Sequence, residues 1–178
     1  METHGKALMN AIDMMVSNSD FQSVIYMSER KKNEKYDFDL VIRYLCFKHS
    51  TIDELLKVIN VGDYLNNKIV DLASKELQYD NEVQEFNKIF LEINQQINDK
   101  AFRRYKAEDD KFSGPFLMAQ YESVIYGILK TNSCNNLMNK LKALSVNEKY
   151  IEYSAGGIAV KNRWSNLLKL AYTVFKDE

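Results

Sequence analysis

Side chains suited to metal or acid–base chemistry are sparse in this chain. Its 178 residues include two histidines, His4 and His49, and two cysteines, Cys46 and Cys134. Cys46 and His49 are three positions apart and would share one face of a helix. A structural zinc site needs four nitrogen or sulfur ligands, and no further ligand follows at close spacing. We therefore predict no metal site and no cofactor, and we interpret both cysteines as free thiols.

Two acidic pairs could supply general acid–base catalysis. They are Asp37 with Asp39 and Asp109 with Asp110. Such catalysis needs an environment that separates the pKa values of the two carboxyl groups, usually through burial. Both pairs lie in strongly polar stretches of sequence. We therefore predict that they are solvated surface residues.

Glu122 is a different case, because it interrupts a largely apolar segment from Tyr121 to Leu129. A carboxylate that is buried among apolar side chains needs a partner of opposite charge. Arg43 and Arg163 are the candidate partners. This pattern predicts a structural ion pair.

A cluster of cations near the middle of the chain could bind phosphate or a protein partner. Arginine binds phosphate through two parallel N–H donors, and a tyrosine ring can stack on a base. The acidic run at 108–110 follows directly and would weaken the local positive potential. The alternative is therefore that these arginines pair with acids or cap helix carbonyls. The candidate contact residues are Arg103, Arg104, Tyr105, Lys106, Lys161 and Arg163.

Arg43 and His49 offer an enzymatic alternative. An arginine followed six positions later by a histidine resembles the active-site pattern of HEPN nucleases, which are small helical bundles that dimerise to assemble their site. Six helical steps place the two side chains about 120° apart, and His49 also continues the apolar stripe seven residues after Ile42. A helical nuclease that uses Arg43 and His49 stays an alternative beside a purely structural histidine.

The elements that must position these residues are helices. Apolar spacing of three and four residues runs along almost the whole chain and is clearest at 37–48. A second central helix is expected at 115–130 with Pro115 in its first position, where a missing N–H leaves no bond unmade. The last helix should bury Trp164. We predict an all-α, single-domain helical bundle of about seven to nine helices over 1–178, with 1–20 as a candidate for a loosely attached N-terminal arm.

The totals exclude several classes of function. Twenty-four basic and 25 acidic residues give a net charge of −1, so any site for a polyanion must be a local patch. No apolar run approaches the ~20 residues that span a bilayer, and the first residues lack the pattern of a signal peptide. We expect a cytoplasmic protein that makes no membrane contact. The sequence predicts no oligomeric state.

The stretch 101–121 is the most distinctive part of the chain. It begins Ala-Phe-Arg-Arg-Tyr, continues through a charged link at 106–111, and reaches Phe-Ser-Gly-Pro-Phe, which contains the single proline. We expect Phe102, Phe112 and Phe116 to fix how two long helices meet. Gly114 and Pro115 should shape the start of the second helix.

This stretch resembles the helical second half of GmrSD-type restriction proteins, the family of domain of unknown function 262. In that family an Ala-Phe-aromatic/basic run precedes a Phe-x-Gly-x-Phe helix start, and a ParB-like nucleotidase domain with a DGQQR motif comes first. The segments 8–21 and 37–47 and the position of Arg163 in the last helix are also similar to the family in order and spacing.

The resemblance implies a bacterial restriction or phage-defence system. The chain has no DGQQR sequence, and its two histidines are too few for an HNH nuclease. The resemblance therefore implies a non-catalytic helical module that supports or docks a DGQQR-type nucleotidase or nuclease domain, in cis or in trans, and that could contact DNA. A small standalone regulator that binds a partner protein is a further alternative.

Overall fold

The computed structural model describes residues 2–26, 35–75 and 77–176. Ten α-helices and one two-stranded hairpin lie in this part of the chain, and eight of the helices span seven residues or more. The predicted all-α bundle is therefore confirmed.

The helices and strands are numbered here in chain order. The first six helices are α1 Glu2–Val16, α2 Ser19–Ile25, α3 Tyr36–Lys48, α4 Ile52–Leu56, α5 Val61–Ala73 and α6 Tyr79–Gln96. The hairpin strands are β1 Arg104–Lys106 and β2 Lys111–Ser113. The last four helices are α7 Met118–Thr131, α8 Leu137–Val146, α9 Glu148–Tyr153 and α10 Val160–Phe175.

Side-chain caps explain several of the helix starts. The Asn18 side chain accepts a hydrogen bond from the backbone of Phe21 at the start of α2. Thr51 and Glu54 form a capping box at the start of α4, in which each side chain accepts from the backbone of the other residue. Such caps satisfy N–H groups that the first turn of a helix leaves without partners.

Helix α7 is the centre of the bundle. All ten of its residues from 119 to 128 are buried, and it packs against α10 and α3. Gly127 allows the close approach of α10, because a Cβ at this position would lie 2.6 Å from Cγ of Phe175. Trp164 of α10 is buried, with its ring 5.2 Å from the ring of Phe47.

The N-terminal helix α1 contributes to the same core. Its apolar face is buried and packs against α6 and α3. The buried residues of this face are Leu8, Ala11, Ile12 and Met15.

The stretch after α6 differs from the sequence-based expectation. In place of a charged link, β1 and β2 pair in antiparallel register, with Tyr105 opposite Phe112 and ring centroids 5.1 Å apart. The turn at 107–110 closes the hairpin, and Gly114 follows β2 with a φ of +88°, which favours glycine. Two strands of three residues each are too short to show a period of two in the sequence.

Pro115 does not occupy the first helical position, and that prediction was wrong. Helix α7 begins at Met118, because the backbone N–H of Leu117 donates to the carbonyl of Phe102 at 2.8 Å and holds Leu117 in an extended conformation. Phe116 still packs at the junction, with its ring 5.5 Å from Phe102 and 6.0 Å from Tyr121.

Candidate functional site

A buried carboxylate lies between two guanidinium groups in the interior of the bundle. The Glu122 side chain is 1% exposed. Its Oε1 accepts from Arg43 Nη1 at 2.9 Å and from Arg163 Nη2 at 3.1 Å, and its Oε2 accepts from Arg163 Nε at 2.9 Å. Glu122 lies on α7, and the two arginines approach it from α3 and α10. The residue therefore joins three helices.

A second carboxylate completes the charge balance of this cluster. Asp39, one turn before Arg43 on α3, accepts from Arg43 Nε at 2.9 Å. Burial by itself would lower the pKa of Arg43, but the charges of Glu122 and Asp39 outweigh burial and raise it. Two arginines thus face two carboxylates, and the cluster carries no net charge. Such an arrangement stabilises the packing of helices and leaves no cation for a ligand.

His49 belongs to a different ion network at the end of α3. Its Nε2 lies 3.2 Å from Glu82 Oε2 on α6, within ion-pair distance but outside hydrogen-bond geometry. Lys48 Nζ lies 2.9 Å from the same oxygen and 2.6 Å from Glu85 Oε2. Burial alone would raise the pKa of Glu82, yet its contacts with His49 and Lys48 outweigh burial and lower that pKa.

Arg43 and His49 therefore face different helices. Arg43 contacts Glu122 on α7, whereas His49 contacts Glu82 on α6. The helical wheel places the two side chains about 120° apart, and α3 keeps them in these separate networks. A nuclease site would need both residues to turn toward one substrate.

The residues of the predicted cationic patch do not share one environment. Arg103 is a structural residue: its Nε donates to the Asp99 carbonyl at 2.8 Å, its Nη2 to the Asp99 carboxylate at 2.7 Å, and its Nη1 to the Gly114 carbonyl at 3.2 Å. These bonds tie the end of α6 to the end of the hairpin. They correspond to the carbonyl-capping alternative for this arginine.

Arg104 and Lys106 have a different environment. They lie two residues apart on β1, so their side chains point to the same face of the hairpin. Both are exposed, and neither makes an ion pair within the described part of the chain. Both line a groove of about 470 Å³ that runs between the hairpin and helices α8 and α9.

Tyr105 points to the other face and is already engaged. Its hydroxyl donates to Asp110 Oδ1 at 2.8 Å, and Lys142 Nζ lies 5.3 Å from its ring centroid. With Phe112 on the opposite strand, these contacts hold the tyrosine ring against the hairpin and α8. Stacking of a base on Tyr105 would require one of these contacts to be released.

The two distal members of the patch are separated from it. Lys161 is exposed at the start of α10 and does not line the groove, whereas Arg163 turns inward to Glu122. Two of the three carboxylates of 108–110 are neutralised, because Asp109 pairs with Lys111 at 3.2 Å and Asp110 pairs with Lys142 at 2.5 Å, whereas the exposed Glu108 lines the groove beside Arg104 and Lys106.

The other residues considered for chemistry take up structural positions. Asp37 is partly buried and accepts from the Gln22 side chain at 3.2 Å, so it is not the freely solvated residue that the sequence predicts. Burial raises the pKa of the Cys46 and Cys134 thiols to about 12. No group of three or more metal-ligating side chains gathers in the described ranges.

Comparisons with known proteins add no relative. No family model, curated protein or solved structure matches this chain. Among the helices that the structure describes, none combines the length and apolar character needed to cross a membrane. The resemblance of stretch 101–121 and the geometry of the hairpin groove are therefore the observations that bear on function.

Proposed function

We propose that this chain is a non-catalytic helical module of a GmrSD-like restriction or phage-defence protein, and that it docks a DGQQR-type nucleotidase or nuclease domain through its hairpin groove. The observation that carries this proposal is the pair of exposed cations, Arg104 and Lys106, side by side at the rim of that groove. The family attribution rests on the resemblance of stretch 101–121.

The groove combines charge with apolar surface. Its far wall carries Val146 and Ile151, which are 51% and 59% exposed although both are aliphatic. The hydroxyl of Ser145, also on this wall, is buried without a hydrogen-bond partner in the described structure. Unpartnered buried polar groups are rare in folded proteins. Cations, exposed aliphatic side chains and an unpaired hydroxyl together suit a protein segment that presents acidic and apolar side chains.

The ion networks support a module without catalytic activity of its own. Arg43 and His49 are committed to Glu122 and Glu82 respectively. Recruiting both for nucleic-acid cleavage would break the Arg43 bond to buried Glu122 and the His49 contact with Glu82, leaving Arg163 and Lys48 as the remaining cations of these carboxylates, and breaking a buried ion pair from one side is unfavourable. The nuclease alternative therefore requires a larger rearrangement of the structure than the docking proposal does.

The docking proposal is tested by binding between the purified chain and a DGQQR-type domain encoded beside it or fused to it. Isothermal titration calorimetry should give a 1:1 complex. Arg104→Glu and Lys106→Glu should each weaken it by about tenfold or more, because charge reversal places like charges across the interface. Lys6→Glu, an exposed lysine on α1, is the matched control and should bind as the wild type does.

Two outcomes would contradict the proposal. One is the absence of any complex at micromolar concentrations. The other is a complex that Lys6→Glu weakens as much as Arg104→Glu does. A complex with an unrelated protein partner, lost in the same variants, would favour the standalone-regulator alternative.

DNA contact is a second candidate for the same surface. It is favoured by the pairing of Asp109 with Lys111 and of Asp110 with Lys142, which leaves Glu108 as the carboxylate that faces Arg104 and Lys106 in the groove. Exposed arginine and lysine side chains are the groups that contact phosphates.

A further inference from the structure

A pocket on another face of the bundle is lined by cations and hydroxyl groups. It has a volume of about 530 Å³ and lies where the start of α4 meets the C-terminal halves of α7 and α10. No carboxylate is among its lining residues in the described chain. The principal polar lining residues are Ser50, Thr51, Tyr126, Lys130, Lys169 and Tyr172. We refer to it as the Lys130 pocket.

Lys130 is held at the wall of this pocket and keeps N–H donors that make no hydrogen bond there. Its Nζ donates to the carbonyl of Ser50 at 2.9 Å and lies 5.8 Å from the ring centroid of Tyr126. An ammonium group has three N–H donors, so one bond leaves two. Burial lowers the pKa of Lys130, although the charge of Glu54 acts in the opposite direction. An anion bound at this position would offset the unfavourable burial of the ammonium.

The nearby carboxylate of Glu54 does not supply that anion. Its Oε2 accepts from the backbone N–H of Thr51 at 2.7 Å, and its Oε1 lies 3.4 Å from Lys68 Nζ. The capping box therefore holds this side chain at the helix start. Lys130 and the exposed Lys169 remain the charged groups of the pocket wall.

The hydroxyl groups of the pocket are also available as donors. Thr51 is the exception, because its Oγ1 accepts from the backbone of Glu54 and its side chain also hydrogen-bonds the Glu54 carboxylate. Tyr126 is only 3% exposed, yet its hydroxyl makes no hydrogen bond within the described structure. Tyr172 is 43% exposed and presents its ring at the pocket mouth. A wall of donors without acceptor carboxylates suits a ligand with several anionic oxygens.

We infer that the Lys130 pocket binds a small organic phosphate, with the phosphate on Lys130 and Lys169 and the body of the ligand against Ile52 and Tyr172. Two cations and the hydroxyl of Tyr126 match the three terminal oxygens of a phosphate monoester better than the two of a carboxylate. The volume falls in the range of roughly 300–1,000 Å³ that is typical of small-molecule sites. This site is separate from the hairpin groove and does not depend on the proposed function.

The inference is tested by titrating the purified chain with adenosine 5′-monophosphate, with adenosine and with inorganic phosphate. Calorimetry should show saturable binding of the monophosphate. Adenosine and inorganic phosphate should each bind at least about tenfold more weakly, because each lacks one half of the recognised groups.

Variants locate the binding within the pocket. Lys169→Met and Tyr172→Ala change exposed side chains that make no bond to the core, so both variants should fold. Each should lower the affinity for the monophosphate by about tenfold. Lys130→Met should do the same and is checked for folding by circular dichroism. Lys6→Met on α1 is the control and should leave affinity unchanged. The inference is overturned if the monophosphate does not bind, if adenosine or inorganic phosphate binds as tightly, or if Lys169→Met binds as the wild type does.

Discussion

Arg163 holds Glu122 through two parallel hydrogen bonds, Nε to Oε2 at 2.9 Å and Nη2 to Oε1 at 3.1 Å. The two residues are 41 positions apart in the sequence and link α10 to α7. Arg43 adds a third bond from α3 to the same carboxylate. This arrangement makes Glu122 a point at which three helices are held together.

Replacing Glu122 with Gln should therefore destabilise the fold strongly. The change leaves two largely buried guanidinium groups facing a neutral amide, and breaking a buried ion pair from one side costs about 3–5 kcal/mol. Urea unfolding followed by circular dichroism measures the loss. Asp71→Asn is the control, because the Asp71 pair with Lys75 is exposed and should contribute little. Equal effects of the two substitutions would contradict the structural role of Glu122.

Replacing Gly127 with Ala should destabilise the protein although alanine is the better helix former. The new Cβ would lie 2.6 Å from Phe175 Cγ, and overpacking of this kind costs about 1–3 kcal/mol. Thermal unfolding of the variant and of the wild type gives the difference.

Gly5→Ala provides the matched control for Gly127→Ala. Gly5 also lies in a helix, but nothing lies within 4 Å of a Cβ added there. This substitution should stabilise the protein by roughly 0.5–1 kcal/mol through helix propensity. Stabilisation by both substitutions would mean that α7 and α10 do not pack as closely as described.

Stability should fall at alkaline pH because of buried thiol and phenol groups. Burial raises the pKa of Cys46 from 9.0 to about 12, and it raises the pKa of Tyr121 well above its usual value. Both groups stay neutral in the folded state but ionise in the unfolded chain. A group whose pKa is higher in the folded state than in the unfolded chain stabilises the folded protein fully at pH values below the unfolded-state pKa. This stabilisation is lost as the pH rises toward the folded-state pKa.

The free energy of unfolding should therefore decline above pH 9, by up to about 1.4 kcal/mol per pH unit for each such group. Urea unfolding at intervals between pH 7 and pH 10.5 measures the slope. Cys46→Ala should reduce the slope by the contribution of one group. A slope that Cys46→Ala leaves unchanged would contradict the shifted pKa of this thiol.

Arg103 and Arg104 should respond differently to substitution by alanine. Arg104 is exposed at the groove and free of ion pairs in the described chain, whereas Arg103 ties Asp99 to the hairpin. In a gel-shift assay with duplex DNA at low salt, Arg104→Ala should weaken binding and reduce the salt slope by about one. Arg103→Ala should instead lower thermal stability. DNA binding that is insensitive to salt, or equal loss in both variants, would exclude phosphate contact by Arg104.

Local sequence patterns predicted much of the helical architecture. The apolar spacing expected for 37–48 corresponds to α3 at Tyr36–Lys48, and the last helix that was expected to bury Trp164 corresponds to α10. Helix periodicity is a property of residues that are close in sequence, so it can be recognised without knowledge of the fold. The hairpin was missed because its strands gain stability from the contact between Tyr105 and Phe112 and from packing on α8, neither of which is a local property.

The sequence by itself therefore determined that the chain is helical, which residues are apolar enough for the core, and that Glu122 needs a cation. Only the tertiary structure decided that Arg43 and Arg163 share that one carboxylate and that Arg104 is exposed while Arg103 is engaged. It also decided that Lys130 and Lys169 line one pocket. These relationships join residues tens of positions apart, and the packing of helices sets their distances, which no local repeat encodes.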